Sequence, residues 1–599
     1  MSSDWRVEAP FNLSAVEISL SPTPVPCELE TDSGELLSTT AYVLRLPARA
    51  DAVKIDTRST GLIVDGLPFL PMGFYLEYNR WQSGATNFSR VMYEEVMSGM
   101  NAPLPYRSGD PSSNDFMDFM DEMSAMSVRV HFNMYGLGME EPSTSKSERI
   151  ERYAALVGAH PALLAYYIAD EPDGNGKGLD PSWLADTADR LRALDPYHPI
   201  SLVLNCEQHP YRTIQDYAPH ADIMMNDPYC LGLRNPVGCD TCEGHVRDYA
   251  RRVQLYKANV SEAMPFWIIP QTFGSEQHWD RQPNAREIRA MTYLALVHGA
   301  VGVQHFALGA FVRQYNDGLH HEPRESLWAE VRRVALEAAD LTPAILSPDE
   351  PPATEILRGD GLHARAWREA ARGVVTLTVV NERADPQAMA VRVLGALDGN
   401  ASTTAFLPFE QRSVAVQPDG RIDDIIEGYG TRTYRIATGQ PTRRAEPTGS
   451  GNLLWNPSFE VQHNLGYPDS FVPYFGRGSS VRPDSRVALD GYYSLRVTNA
   501  YPLTEGAVPE AGVDAFRNIN AVADDVMRVA VYAWTNAAEP QTVALGVDCA
   551  GDEEFTLPAN EWVLLEATLV AKETMLCAAT LRLVSQGTVW FDMFTVQFD

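Results

Sequence analysis

The chain has 599 residues, more than one hydrophobic core organises, since single domains stop growing near ~250–300 residues. Asp and Glu number 79 against 48 Lys and Arg, a formal net charge of −31, and a field of that sign repels nucleic acid, anionic membranes and polyanionic partners. No apolar run reaches the ~20 residues that span a bilayer, so membrane insertion is not expected.

Residues 1–61 read as short strands, with Tyr42–Leu46 and Ala52–Ile55 bounded by Pro, Gly, Ser and Asp clusters. This β-region is too small to stand alone, so packing on a neighbour is expected. Over 62–351 apolar β-type runs alternate with amphipathic helical patterns. The strand candidates are Leu70–Tyr78, Ala102–Tyr106, Val128–Tyr135, Leu163–Ala169, Ile200–Asn205, Ile223–Asp227, Phe266–Phe273 and Gly302–Leu308. Helical patterns such as Arg90–Met100, Asp115–Met126, Ser147–Gly158, Ser182–Leu194, Val246–Asn259 and Ala285–His298 lie between them; the connection near Tyr211–Tyr217 has the poorest pattern. Eight β/α units in this length predict a (β/α)8 TIM barrel. The rival open sheet calls for a Gly-rich phosphate turn after an early strand, and the sequence has none. Residues 352–437 return to short strands with Asp-Gly turns and predict an accessory β-sandwich. A polar, Pro/Gly-rich linker fills 438–451, and 452–599 is all-β with the length of a jelly roll.

In such a barrel, chemistry sits where strands run out into the βα loops. The fourth strand ends in Asp170-Glu171-Pro172, two adjacent carboxylates whose repulsion raises one pKa toward that of a general acid. The bland reading of an Asp-Glu-Pro string is a turn or helix cap; its register at the fourth of eight strands tips it toward function. Asn205, Asp227 and His305 stand at other strand ends, with Tyr75, Glu77, Arg107, His131 and Asn133 as further polar rim candidates. Trp279 offers an apolar platform, although a lone Trp is as often packing.

The segment Val64-Asp65-Gly66-Leu67-Pro68-Phe69-Leu70-Pro71-Met72-Gly73 resembles the opening of barrels in glycoside hydrolase clan A, and the passage from Arg281-Gln282-Pro283 through Glu287 to Gly302-Val303-Gln304-His305-Phe306 resembles strands 7 to 8 of barrel hydrolases. The resemblance covers about 62–345. It implies hydrolysis of a neutral poly- or oligosaccharide with Glu171 as general acid/base, and Asp170 in the place usually held by Asn. It also implies a nucleophilic Glu at the end of strand 7, where this sequence has Gln271, which forms no glycosyl ester. Four readings fit. Glu276 serves as the second catalytic carboxylate, which we favour slightly; Asp227 serves instead; an N-acetyl group of the substrate attacks, with Asp170 orienting it and Tyr229 bonding its carbonyl, as in substrate-assisted hexosaminidases; or the barrel binds glycan without turning it over. Gln271, Asp170, Asn205, Asp227, Tyr229, Trp279 and His305 are then the expected substrate contacts, and no catalytic cofactor is expected.

Four cysteines, Cys206, Cys230, Cys239 and Cys242, crowd one stretch. Disulfides bracing the loops are favoured over a four-thiolate zinc site, conditional on secretion. The expectation is an extracytoplasmic protein whose signal peptide is absent from this sequence. Cys549 and Cys577 are expected to pair. The opening Asn452-Leu453-Leu454-Trp455-Asn456-Pro457-Ser458-Phe459-Glu460, with Gly491–Val497 and Val589-Trp590-Phe591-Asp592, resembles jelly-roll carbohydrate-binding modules. That resemblance implies a structural calcium held by Glu460 and Asp592, hard oxygen ligands suited to the ion, and sugar-facing aromatics among Tyr474, Trp534 and Trp562.

Overall fold

The computed structural model describes residues 14, 16–19, 21–31, 33–76, 98–106, 114–174, 178–205, 210–233, 242–274, 279–307, 324–395, 403–438, 451–476, 478–500 and 510–599. The chain divides into two compact units, Met1–Ala52 and Val53–Asp599. In the first, Thr23–Glu30 and Leu36–Val43 pair as an antiparallel hairpin, in register from Thr23 opposite Val43 to Glu30 opposite Leu36.

The second unit begins with a three-stranded antiparallel sheet, Lys54–Ile55, Leu62–Val64 and Leu67–Phe69. It leads into the barrel strands β1 (Met72–Leu76), β2 (Leu104–Pro105), β3 (Val130–Asn133), β4 (Leu163–Asp170), β5 (Ile200–Leu204), β6 (Ile223–Asn226), β7 (Phe266–Ile268) and β8 (Val303–His305). They form one parallel sheet in the order β2-β1-β8-β7-β6-β5-β4-β3. Bonds from Arg129 N to Asn101 O and from His131 N to Pro103 O, 2.9 and 3.0 Å, close it between β2 and β3. This is a TIM barrel followed by all-β domains, as the strand–helix alternation predicts. Even the weakly patterned connection folds as a helix, Pro210–Tyr217. Most of the predicted helix 90–100 lies outside the described residues.

The barrel interior is filled rather than hollow. Buried His131 bridges Gln304 Oε1 at 2.9 Å and Ser201 Oγ at 2.5 Å, and Gln304 Nε2 donates to Ala102 O. Burial lowers the His131 pKa to about 4, so the ring is neutral and can donate at one nitrogen and accept at the other. Two glycines allow close approach. A Cβ on Gly73 would sit 1.9 Å from Ala102 O, and one on Gly302 would sit 2.7 Å from the Trp267 indole.

The accessory domain is a sandwich of a three-stranded and a five-stranded antiparallel sheet built from Thr354 to Ala437, and the C-terminal module pairs two five-stranded antiparallel sheets over its own core. One guanidinium joins all three bodies. Arg435 of the accessory sandwich pairs with Asp340 of the barrel helix Arg324–Ile345 at 2.5 Å, donates to Tyr493 OH of the module at 2.6 Å, and stacks 4.0 Å from the Tyr492 ring.

Gly73→Ala is expected to cost at least ~1–3 kcal/mol in denaturant unfolding, because the obstacle is backbone and cannot rotate away. Gly136→Ala, with nothing within 4 Å of its Cβ, is the control expected to leave stability unchanged or raised.

Candidate active site

Four carboxyl groups gather at the C-terminal ends of β4 and β6. Asp170 ends β4, Glu171 and Asp173 follow, and Asp227 follows β6. Glu171 holds a left-handed backbone, φ 48°, rare for a residue with a Cβ. Its N–H donates to Val203 O on β5, and its carbonyl accepts from Gly174 N, both at 3.1 Å. Asp173 Oδ1 accepts from Asn205 N at 3.1 Å, which ties this turn to the end of β5. The Asn205 side chain lies against Gly174, where a Cβ would meet its Nδ2 at 2.4 Å. The strand therefore ends in a turn held at both sides.

Asp227 is buried, and its carboxyl is hydrogen-bonded to that of Glu171. Two ionised carboxylates repel at such range, so the pair favours holding a proton. Burial first, then the charges of Glu171 and Asp170, hold the Asp227 pKa well above the carboxylate range. Asp170 is fixed differently. Tyr106 OH donates to its Oδ2 at 2.5 Å and Tyr167 OH to its Oδ1 at 2.6 Å. Burial, reinforced by the Asp170 charge, keeps the Tyr167 hydroxyl protonated and donating.

Aromatic rings wall the cluster. Tyr75 lies 5.4 Å from Tyr106 and 5.3 Å from Phe306 by ring centroids, and Tyr229 lies 5.0 Å from Phe273 and 5.9 Å from Phe306. Trp279 stands edge-on to Phe273 at 4.8 Å and donates its Nε1–H to Tyr229 O at 2.8 Å. The Tyr229 hydroxyl is buried, and burial and then the Asp227 charge raise its pKa well above the ordinary value.

Asp170, Glu171, Asn205, Asp227, Tyr229 and Trp279 thus come together as the sequence suggests, and Tyr75 joins them. Glu276, Glu77 and Arg107 lie outside the described residues. Two expected substrate contacts are corrected. Gln271 is fully buried, and its amide is committed to backbone: Oε1 accepts from Leu231 N at 3.1 Å, and Nε2 donates to Leu231 O and Phe273 O at 3.0 and 3.1 Å. It braces the loop after β6 and has no donor left for a ligand. His305 follows Gln304, whose side chain points inward, so the two-residue period of a strand turns His305 outward against Phe74, 5.5 Å away. Burial lowers its pKa to about 3. Residues that the sequence did not single out for the site are Tyr106, Tyr167, Phe273, Phe306 and Asp173. The alternation of β4 offers the one signal, since it puts Tyr167 on the inward face.

Cys230 and Cys242 form a disulfide across 12 residues of the β6 loop, and Cys549 and Cys577 form one across 28 residues of the module. Two of the four sulfurs considered for a zinc site are thus bonded to each other; Cys206 and Cys239 lie outside the described residues. The grouping of Asp548 with Cys549 and Cys577 has no free thiolate for the same reason.

In the C-terminal module, Glu460 Oε1 accepts from Tyr492 N and Tyr493 N at 2.8 and 2.7 Å. Asp592 Oδ2 accepts from Leu489 N and Asp490 N at 2.8 and 3.0 Å, and Oδ1 from Met593 N at 2.8 Å. Burial drives their pKa values up to about 7 and about 8 against these N–H groups, and the Glu460 charge adds to the rise at Asp592. Buried Asp592 and half-buried Glu460 stand as neighbouring carboxylates with raised pKa values, Arg435 offsetting only part of the rise at Glu460, and they fit a divalent ion that takes hard oxygen ligands. Trp534 lies between Trp562 at 6.5 Å and buried Trp590 at 5.1 Å.

No family model and no curated protein matches the chain. Solved structures similar to it include a glycoside hydrolase at 12% identity, TM-score 0.46, covering 65% of this chain and 97% of that one. A glycoside hydrolase family 5 protein from Bacteroides vulgatus is 12% identical, with TM-score 0.44 and coverage of 64% and 93%. A CBM22-1 xylan-binding domain from Paenibacillus barcinonensis is 16% identical, with TM-score 0.20 and coverage of 26% and 97%.

A raised acid pKa in the folded state means that protonation of Asp227 favours folding. That stability is fully present below the ordinary aspartate value of about 4 and is lost as pH rises through the folded value. Denaturant unfolding across pH 4–9 is expected to show a shallower decline for Asp227→Asn than for the unaltered chain; an unchanged slope would exclude a shared proton.

Proposed function

We propose that this chain is a glycoside hydrolase acting on a neutral poly- or oligosaccharide, with Glu171 as general acid/base. The observation that carries this reading is the hydrogen-bonded Glu171–Asp227 pair at two strand ends of a barrel, enclosed by aromatic rings. Glycosidic cleavage needs one carboxyl that gives a proton to the leaving oxygen and one carboxylate that meets the developing positive charge at the anomeric carbon. A pair holding one proton between them supplies both states.

Retaining carboxyls stand ~5–5.5 Å apart and inverting carboxyls ~6.5–9.5 Å, the latter leaving room for water. The Glu171–Asp227 pair is closer than either spacing and nearer the retaining one, and a retaining outcome is taken as part of the proposal. Asp227 then takes the nucleophile's place in preference to Glu276. Burial keeps the resting proton on Asp227, so in this reading the proton passes to Glu171 as the positive charge developing at the anomeric carbon stabilises the Asp227 carboxylate. Tyr106 and Tyr167 hold Asp170 where its oxygens can still accept from a sugar hydroxyl. Trp279 and Tyr229 suit the C–H face of a pyranose. The acidic surface accords with a neutral glycan. Two disulfides support an extracytoplasmic location. The C-terminal module is read as a glycan-binding domain that raises local substrate concentration.

On a panel of neutral glycans, Glu171→Gln and Asp227→Asn are each expected to lower kcat by ~10²–10⁴-fold. A loss at Glu276→Gln equal to that at Asp227→Asn would move the second role to Glu276. Binding without turnover by the unaltered chain would establish the glycan-binding alternative.

Calcium at Glu460 and Asp592 is a second part of the proposal. Without the ion, protonation of these groups favours folding, so stability falls as pH rises through about 7 and 8. Calcium is expected to raise Tm at pH 8 and to flatten that decline. A chelator reverses both effects, and Asp592→Asn removes the response.

A further inference from the structure

The C-terminal module and the N-terminal end of the barrel, the face opposite the carboxyl cluster, enclose a cavity of about 90 Å³. That is several times the roughly 30 Å³ share of one water. Its wall is cationic within a strongly acidic chain. From the barrel side come Arg129 and Asp65, and from the module come Arg482, Asp484, Arg486 and Arg496.

The acidic members of this wall are already engaged. Asp65 pairs with Arg129. Asp484 receives the Arg486 fork, 2.7 Å at its shortest, and the Trp590 indole N–H at 3.1 Å. Burial pushes Asp484 up, but the Arg486 guanidinium overcomes this and holds it below the carboxylate range. Asp340, also on the wall, is taken by Arg435.

Arg482 and Arg496 remain. They face each other directly across the pair of strands Ser480–Asp484 and Ser494–Asn499, a register in which like charges repel. Neither has an ion pair among the described residues. Arg482 Nη1 and Arg496 Nε are buried without a hydrogen-bond partner, and Arg496 is only 8% exposed. Burial lowers their pKa values to about 10 and about 9; neighbouring guanidiniums add to the fall and the Asp484 charge opposes it without cancelling it. Two cations side by side, one buried and one half-buried, each with a buried donor unused, form half of a binding site.

We propose that this cavity binds a small tetrahedral oxyanion, inorganic phosphate or sulfate, held between Arg482 and Arg496 where the barrel meets the C-terminal module. The planar guanidinium forks match oxyanion geometry, and one doubly charged ion neutralises both side chains. Bound there, the ion ties the module to the barrel and is distant from the carboxyls of the proposed chemistry.

The test is thermal unfolding of the full chain in phosphate, sulfate, acetate or chloride at one ionic strength and pH 7. Phosphate and sulfate are expected to raise Tm saturably, by about 2–4 °C. Acetate should give less than half of that. Arg482→Gln/Arg496→Gln should lose the phosphate and sulfate response, while its Tm in chloride is unchanged or higher because the like charges are gone. A second readout is anomalous scattering from selenate soaked into crystals, expected as a peak between the two guanidiniums. A Tm of the unaltered chain indifferent to phosphate and sulfate overturns the proposal. So does a rise that persists in the double variant, which would be the general salting effect of such anions. Acetate as effective as phosphate overturns the tetrahedral assignment.

Discussion

The backbone of Glu171 is the constraint from which the rest of the carboxyl cluster follows. A residue bearing a Cβ in the left-handed region costs of order 1–3 kcal/mol and persists only where its surroundings dictate it. Here Val203 O grips its N–H, Gly174 N caps its carbonyl, and Asp173 anchors the turn to β5. An extended residue would continue the strand and aim its side chain along the alternation of Tyr167 and Ala169. The turned backbone instead brings the carboxyl to Asp227, two strands away in the barrel order.

That arrangement divides labour among carboxyl groups that stand adjacent in sequence. Asp170 is satisfied by tyrosine hydroxyls, whereas Glu171 meets a carboxyl that favours holding a proton. Adjacent residues of one type thus receive opposite environments through the fold alone, which is how a single site can offer both an acceptor and a donor at one pH. The apolar rings lower the local dielectric beside buried Asp227 and strengthen its interaction with Glu171.

Much of this was legible in the sequence. The alternation of apolar runs with amphipathic stretches shows the eight strands, and the strand-end rule leads to Asp170, Glu171 and Asp227. Cys549 and Cys577 could be paired because they stand together in a separate all-β segment. The fate of a side chain that lies beyond its own strand was not legible. Gln271 invites reading as a substituted catalytic position because its place just past β7 is visible, while its partner Leu231 lies 40 residues earlier across a loop. His305 fails for a simpler reason: a one-residue difference in register moves a side chain from the barrel interior to the layer beneath the helices. Tyr106 and Phe306 carry no local signal, since an aromatic at a strand end is as often core.

Gln271 also bears on what this lineage can become. Its amide donates to two carbonyl oxygens and accepts from one N–H. A single-base route to Glu exists for a Gln codon, but it would set a carboxylate against the Leu231 and Phe273 carbonyls in a position shut off from solvent. The first step toward a strand-7 nucleophile is therefore a loss of stability before any gain in chemistry. A descent that has used this position as a brace stays committed to whichever carboxyls it holds elsewhere.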